Sequence, residues 1–273
     1  MRRPVSAPGA GPAPDGPRPL LILHHAGGSA GSLSAARTGA CGPWPRRGRS
    51  AWPGPGAGDH PCRSVAEAVD HLVGVVTRDF EHGCALFGHS MGGLLAFETP
   101  RKLERLGRPA SRVGVSGCVR PAASAMAPAA GRHRWSADRL TAYVRELGGT
   151  PKEARLHPGL RDCLLGVLRA DLAMVDGHRA RADARLLRSP GAIFRGLADP
   201  VADPDGWSLV LPRPVAVHAF TGGHFYLFEW LDEVAARIDA ELGRLTRRGP
   251  EPSAPSRQPC TDQDMKIGQE QSQ

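Results

Sequence analysis

The feature that most constrains this chain is a serine between two glycines, placed where an apolar run meets a helical pattern. The segment Gly88–Gly92, with the sequence GHSMG, follows the apolar run 84–87 and precedes Leu94, Leu95 and Phe97. This order predicts a buried strand, a tight turn and a helix. On such a turn the serine is held exposed, and glycines allow backbone segments to approach where a Cβ atom would not fit. The pattern therefore predicts a nucleophile at Ser90, with an ordinary strand-to-helix turn as the alternative.

Strand and helix patterns alternate along most of the chain. Apolar runs predict strands at 19–23, 84–87, 112–116, 192–194 and 215–217. Ser64 and Glu67 have the spacing of a capping box at a helix start, and Pro100 is expected to kink or shorten the helix that follows Ser90. Alternation of this kind predicts an α/β fold with a mostly parallel sheet and helices on both faces. With the turn at Ser90, it predicts an α/β-hydrolase fold.

The domain is expected to span residues 19–245. A helical block at 122–185 interrupts the alternation, which predicts a helical lid inserted into the domain. The flanking segments 1–18 and 246–273 are expected to be disordered tails, because they offer few apolar residues to bury.

Residues 37–60 do not fit this pattern. Ten of these 24 residues are Gly or Pro, and the segment has no Val, Ile, Leu, Met or Phe. It is therefore expected to be irregular and to leave a gap or an exposed edge where such a sheet normally has a strand. Two interpretations remain open: a segment out of its ancestral reading frame, and a long loop.

Composition excludes several classes of protein. No stretch approaches the length of a membrane-spanning helix, and the two arginines at the N-terminus are not followed by the apolar run of a secretory signal. We therefore expect a cytoplasmic protein. The six cysteines are scattered without a C-x-x-C pair, so neither a metal site nor a disulfide framework is predicted. The net charge of +8 has no basic cluster interleaved with aromatic residues, which argues against nucleic-acid binding.

A serine hydroxyl needs a base to accept its proton. His224 follows the strand at 215–217, and Asp199 follows the strand at 192–194 in a position to orient the imidazole. The chain order Ser90, Asp199, His224 is typical of α/β-hydrolases. Other acids and histidines remain alternatives or structural residues: Asp203 and Asp205 for the acid, and His25, His89, His157, His178 and His218 as lining or structural histidines.

When a serine attacks a carbonyl group, the carbonyl oxygen becomes an oxyanion that two backbone N–H groups stabilise. One is expected from the residue after the nucleophile, and the other from the loop after the first strand. Residues 25–28, with the sequence HAGG, fill that second place. We therefore expect the N–H groups of Met91 and Ala26 to form the oxyanion hole.

Several spaced motifs together resemble the type II thioesterases of polyketide and nonribosomal peptide synthesis. They are LHHAGGS at 23–29, LFGHSMG at 86–92, LGGTP at 147–151, LRADL at 168–172 and GGHF at 222–225. The resemblance covers roughly 19–35 and 61–245. This chain differs from the family at three places. The family usually has proline at the position of His24, it has no proline in the helix at the position of Pro100, and it has an apolar strand at the position of residues 37–60.

The resemblance implies hydrolysis of acyl groups from the phosphopantetheine arm of acyl or peptidyl carrier proteins, an editing role in antibiotic biosynthesis. It places the catalytic residues at Ser90, Asp199 and His224, the oxyanion donors at Ala26 and Met91, and a lid over the acyl chamber at 122–185. A monomer without cofactor, metal, nucleic acid or membrane partner is expected. A general carboxylesterase or lipase, and a catalytically impaired remnant, are the alternative hypotheses.

Overall fold

The computed structural model describes residues 19–28, 48–50, 62–120, 131–148, 158–179 and 187–243. Within them one sheet contains six parallel strands in the order β2-β1-β3-β4-β5-β6. The strands are β1 (Leu20–Leu23), β2 (Gly48–Ser50), β3 (Ala85–His89), β4 (Arg112–Ser116), β5 (Gly191–Gly196) and β6 (Ala216–Phe220). The predicted α/β-hydrolase fold with a parallel sheet is confirmed.

Helices connect and cover these strands. They are α1 (Val65–Asp79), α2 (Met91–Arg105), α3 (Ala137–Glu146), α4 (Pro158–Gly177), α5 (Pro204–Trp207), α6 (Tyr226–Glu229) and α7 (Leu231–Gly243), with a 3-10 turn at Arg132–Arg134. The Ser64 hydroxyl accepts from the Glu67 N–H at the start of α1, and Ser136 caps α3 in the same way. None of the helices in the described ranges is long and apolar enough to cross a membrane.

Successive side chains of each strand point to opposite sides of the sheet, and helices cover both of these faces. On one face, Leu21, Leu86 and Val113 pack with the apolar sides of α1 and α2. On the other face, Leu20, Phe87 and Phe194 pack with residues of α6 and α7. A separate cluster joins α3 and α4, formed by Leu140, Leu165, Leu168 and Leu172.

The strand order changes direction between β1 and β3, since the chain continues to β2 on one side of β1 and to β3 on the other. In open parallel sheets, ligands bind beyond the carboxyl ends of the strands at such a switch point. The loop after β1 and the turn after β3 both lie there. The topology therefore brings residues 25–28 and Ser90 to one place.

The structure corrects the expectation of irregular backbone at residues 48–50, within the segment 37–60. Gly48–Ser50 form a strand, β2, that pairs in parallel with Leu20–Ile22 at the edge of the sheet. Strand pairing uses backbone N–H and C=O groups, so an edge position accepts glycine and polar residues where a buried strand would need apolar ones. The rest of the segment lies outside the described residues, as do both predicted tails and residues 122–130, 149–157 and 180–185 of the lid.

The expectation that Pro100 shortens the helix after Ser90 is wrong. Helix α2 continues through this proline to Arg105, and the Pro100 side chain is buried.

Backbone packs directly on backbone at the turn between β3 and α2. A Cβ atom on Gly88 would overlap the carbonyl group of Gly92, and a Cβ atom on Gly92 would overlap the carbonyl group of Leu23. The atoms in the way belong to the backbone and cannot rotate aside. Both glycines are therefore required for the turn to lie against β1.

The Gly88→Ala variant should lose about 3 kcal/mol of unfolding free energy or fail to fold, because overpacking here displaces backbone. Gly74→Ala is the matched control, since Gly74 lies inside α1 with no atom near its Cβ position. That variant should gain about 1 kcal/mol from helix propensity. Urea unfolding curves measure both changes, and equal stability of the two variants would contradict the packing.

Candidate active site

Ser90 occupies the strained turn between β3 and α2. Its φ of 56° and ψ of −116° make it the one non-glycine residue with positive φ in the described ranges. Such a backbone conformation costs on the order of 1–3 kcal/mol and persists where the surroundings enforce it. Here the Ser90 N–H donates to the Ser116 carbonyl at 2.8 Å, and the Ser90 carbonyl accepts from Gly93. The turn presents the hydroxyl at the carboxyl end of the sheet.

The structure brings His224 and Asp199 together as the sequence predicts. The Nδ1 atom of His224 lies 3.1 Å from each carboxylate oxygen of Asp199, and both side chains are almost fully buried. Because a carboxylate only accepts, Nδ1 carries the proton and Nε2 keeps its lone pair. Ser90 and His224 line the same cavity, although no hydrogen bond joins their side chains in the described structure. Such bonds are often long without substrate and tighten in the complex.

The two alternative acids, Asp203 and Asp205, make no hydrogen bond to His224 in the described structure: one makes a hydrogen bond within α5 and the other is exposed. Asp203 caps α5, where its Oδ1 accepts from the Gly206 N–H at 2.9 Å. Asp205 is exposed on the same short helix. The geometry therefore favours Asp199 as the partner of His224.

Two of the remaining histidines have structural partners on other elements. His218 lies 3.0 Å from Glu241, and His178 lies 3.5 Å from Glu98. His157 lies outside the described residues.

Two further histidines surround His224. The His89 ring lies 4.8 Å from the His224 ring, and its Nδ1 is 2.9 Å from the Ser116 hydroxyl, which in turn bonds Tyr226. Burial lowers the pKa of His89 well below its ordinary value, and it lowers the pKa of His25 to about 4. Both rings are therefore neutral at pH 7. An imidazolium that forms on His224 meets no competing positive charge from them.

Hydrogen bonds hold the polar groups on either side of Ala26 in the loop after β1. The His25 carbonyl accepts from His24 Nδ1 at 2.8 Å and from Gly28 N–H at 3.0 Å. The Ala26 carbonyl accepts from His25 Nδ1 at 2.9 Å, and the Gly27 N–H donates to Asp171 at 2.8 Å. Within the described part of the chain, the Ala26 N–H has no acceptor. Ala26 and Met91, the first residue of α2, both line the cavity beside Ser90.

A cavity of about 470 Å³ extends from Ser90 beneath the lid helices. This volume falls within the range of small-molecule sites. Its wall is mostly apolar, and α4 alone contributes Leu164, Leu165, Leu168, Leu172 and Val175. Side chains of α3 and Phe225 and Phe228 complete the wall, with the guanidinium-bearing residues Arg132 and Arg161. The site therefore has room for an apolar group next to Ser90.

Sequence reasoning missed several residues of the site. Phe225 and Phe228 line the cavity and pack around His25, with ring centroids 4.9 and 6.1 Å from the imidazole. Asp171 contacts the loop after β1 from the lid. Two signals in the sequence mark it: Asp171 lies in the LRADL motif at 168–172, and it stands among apolar residues of α4, where a buried carboxylate needs a partner.

Known thioesterases are similar to this chain. A sequence model of the thioesterase domain matches residues 18–242. The chain is 32% identical to the thioesterase PikA5 of Streptomyces venezuelae, over 88% of this chain and 86% of that protein. The solved structure of RedJ, a thioesterase from the prodiginine pathway of Streptomyces coelicolor, aligns with a TM-score of 0.71 at 28% identity over 88% of this chain and 91% of its own. BorB, a type II thioesterase of the borrelidin cluster, aligns with a TM-score of 0.68 at 30% identity over 85% and 95%.

The Asp199→Asn variant should lose about 10⁴-fold in kcat, because an amide no longer holds His224 in the tautomer that leaves Nε2 free. Asp203→Asn is the matched control, since asparagine keeps the oxygen that caps α5 and should leave kcat and stability almost unchanged. Hydrolysis of a small activated thioester measures both. A severe loss of kcat in Asp203→Asn with a mild loss in Asp199→Asn would show that Asp203, and not Asp199, is the acid.

Proposed function

This chain belongs to the thioesterase family, and from that premise we propose that it hydrolyses acyl groups carried on the phosphopantetheine arm of carrier proteins. The observation that carries the proposal is the combination found at one end of the cavity. A strained serine, a buried histidine–aspartate pair and free backbone N–H groups meet where the apolar cavity begins. An acyl chain fits the cavity, and its carbonyl carbon then lies at the serine.

In the first half of the reaction, Ser90 Oγ attacks the thioester carbon and its proton passes to His224 Nε2. The carbonyl oxygen becomes an oxyanion that accepts hydrogen bonds from the Ala26 and Met91 N–H groups. The positive end of the α2 dipole also points toward this oxygen. The intermediate then collapses: the C–S bond breaks, the sulfur takes the proton from His224, and an acyl ester remains on Ser90.

In the second half, water replaces the thiol. His224 Nε2 removes a proton from the water as its oxygen attacks the acyl ester, and the same two N–H groups receive the second oxyanion. Breaking the C–O bond returns the proton to Ser90 Oγ and releases a carboxylic acid. Asp199 stays ionised throughout, and it stabilises the imidazolium that forms twice in each cycle.

The substrate class follows from the relatives and from the shape of the site. PikA5 and RedJ are thioesterases, and RedJ comes from a biosynthetic pathway. A role in clearing carrier-bound acyl groups during polyketide or nonribosomal peptide synthesis fits the family. The four described cysteines are all free thiols, the state that a reducing compartment maintains. We place the reaction in the cytoplasm and assign it to a monomer.

Incubation with an acyl-loaded carrier protein should restore the free phosphopantetheine thiol on the carrier, seen as loss of the acyl mass by intact-mass spectrometry. Ser90→Ala should abolish this turnover apart from the residual effect of the oxyanion hole. Ser111→Ala is the matched control, because the Ser111 hydroxyl has no hydrogen-bond partner in the described structure. It should hydrolyse the carrier substrate at the unaltered rate.

Two outcomes would contradict the proposal. Turnover by Ser90→Ala within a few-fold of the unaltered protein would remove Ser90 as nucleophile. Rapid hydrolysis of simple oxygen esters, with no loss of acyl groups from the carrier, would instead identify a general esterase.

The lid cavity should set chain-length preference. Leu164 is half-buried on α4 and lines the cavity, so Leu164→Trp should favour shorter acyl chains while leaving the reactive groups in place. Leu168→Trp is expected to disturb the loop after β1 as well as the cavity, because Leu168 lies next to Gly27. Cys163→Trp is the control, since Cys163 is exposed on the same helix and does not line the cavity. Equal loss for all chain lengths in Leu164→Trp would show that Leu164 packs the lid rather than bounding the acyl chain.

A further inference from the structure

One charged hydrogen bond joins the lid to the loop that carries Ala26. Asp171 lies in the third quarter of helix α4, and its Oδ2 accepts from the Gly27 N–H at 2.8 Å across 144 residues of sequence. The Asp171 side chain is buried, with 5% of the residue exposed. Charge-assisted bonds of this kind are roughly twice as strong as neutral ones. The lid helix is therefore attached to the loop at one defined peptide group.

That peptide group is fixed from two sides. Its carbonyl, on Ala26, accepts from His25 Nδ1, while its N–H, on Gly27, donates to Asp171. The preceding peptide carries the Ala26 N–H, which has no acceptor among the described residues, and Ala26 lines the cavity. The carbonyl of that peptide, on His25, accepts from His24 Nδ1 and from the Gly28 N–H. Gly27 has a φ of 73°, a conformation that glycine adopts without the steric cost that other residues meet. The direction of the Ala26 N–H therefore depends on the bonds to its own peptide and on the bonds that fix the peptide after it.

Packing alone does not account for an acid at this position. Burial raises the pKa of Asp171 to about 6, although the bond from Gly27 opposes the shift. The surroundings therefore disfavour the charge, and an apolar side chain would be easier to bury there. What an apolar side chain cannot supply is an acceptor for Gly27.

We propose that Asp171 is a positioning residue that aligns the oxyanion hole from the lid, by holding the Gly27 N–H and thereby the direction of the Ala26 N–H. The inference rests on the proposed function of Ser90 and Ala26. Helix α4 also bears Leu165, Leu168 and Leu172, which bound the acyl cavity. Helix α4 therefore both bounds the acyl cavity and fixes the direction of the Ala26 N–H. This N–H is aligned when the lid lies against the sheet.

The test compares kcat and KM of Asp171 variants on a short-chain thioester. Asp171→Leu keeps the volume but removes the acceptor, and kcat should fall about 10- to 100-fold, less than or similar to the loss of a whole oxyanion donor. KM should change little, because the oxyanion forms only in the transition state. Asp171→Asn keeps an oxygen for Gly27 and should recover most of the lost kcat. Affinity for an alkyl boronic acid, whose adduct mimics the oxyanion, should fall with kcat.

Asp176→Leu is the matched control on the same helix. The Asp176 carboxylate accepts from Gly131, Arg132 and His133 in the lid and makes no bond to the loop after β1 in the described structure. Its loss should lower the melting temperature while reducing kcat far less than Asp171→Leu does. Should Asp171→Leu fail to fold, Asp171→Ala removes the same acceptor and carries the same expectation.

Several outcomes would overturn the inference. Unchanged kcat in Asp171→Leu, an equal loss of kcat in Asp176→Leu, or a loss confined to KM would each show that Asp171 only packs the lid. Failure of the proposed function is distinguishable, because it would appear as activity in Ser90→Ala. An inactive Ser90→Ala beside a fully active Asp171→Leu would reject the role of Asp171 alone.

Discussion

Close packing of backbone against backbone at the turn after β3 is the constraint on which the site depends. Gly88 and Gly92 let this turn lie against the end of β1, which places Ser90 beside the loop that carries Ala26. Ser90 has a positive φ at this turn, so its conformation is held by its surroundings rather than by its own preference. Helix α2 begins at the next residue, Met91, which lines the cavity beside Ser90.

The rest of the site is a set of neutral and paired groups arranged around that turn. Asp199 supplies a negative charge at His224, while burial keeps His25 and His89 uncharged. In the proposed reaction, an imidazolium on His224 is stabilised by Asp199 and is not opposed by these two rings. The lid adds an apolar wall and, through Asp171, a hydrogen bond to the loop that carries Ala26.

Much of the fold could be predicted from the sequence because β1, β3 and β5 are buried apolar strands and the longer helices have one apolar side. The apolar runs before Ser90 and before His25 mark β3 and β1, and the loops after β5 and β6 contain Asp199 and His224. Strand β2 could not be predicted, since an edge strand of three residues depends on backbone pairing and leaves no apolar pattern. The link between Asp171 and Gly27 was equally hidden, because it spans 144 residues and a single aspartate in a helical run indicates no partner.

The proposed chemistry depends on the activation of Ser90 as a nucleophile by His224. Labelling with a serine-directed fluorophosphonate, followed by peptide mass spectrometry, measures this activation without knowledge of the acyl substrate. We expect one label per protein, on Ser90, at a rate that falls sharply in His224→Ala. A label on Ser116, which is buried between His89 and Tyr226, or labelling of Ser90 that is equally fast without His224, would contradict it.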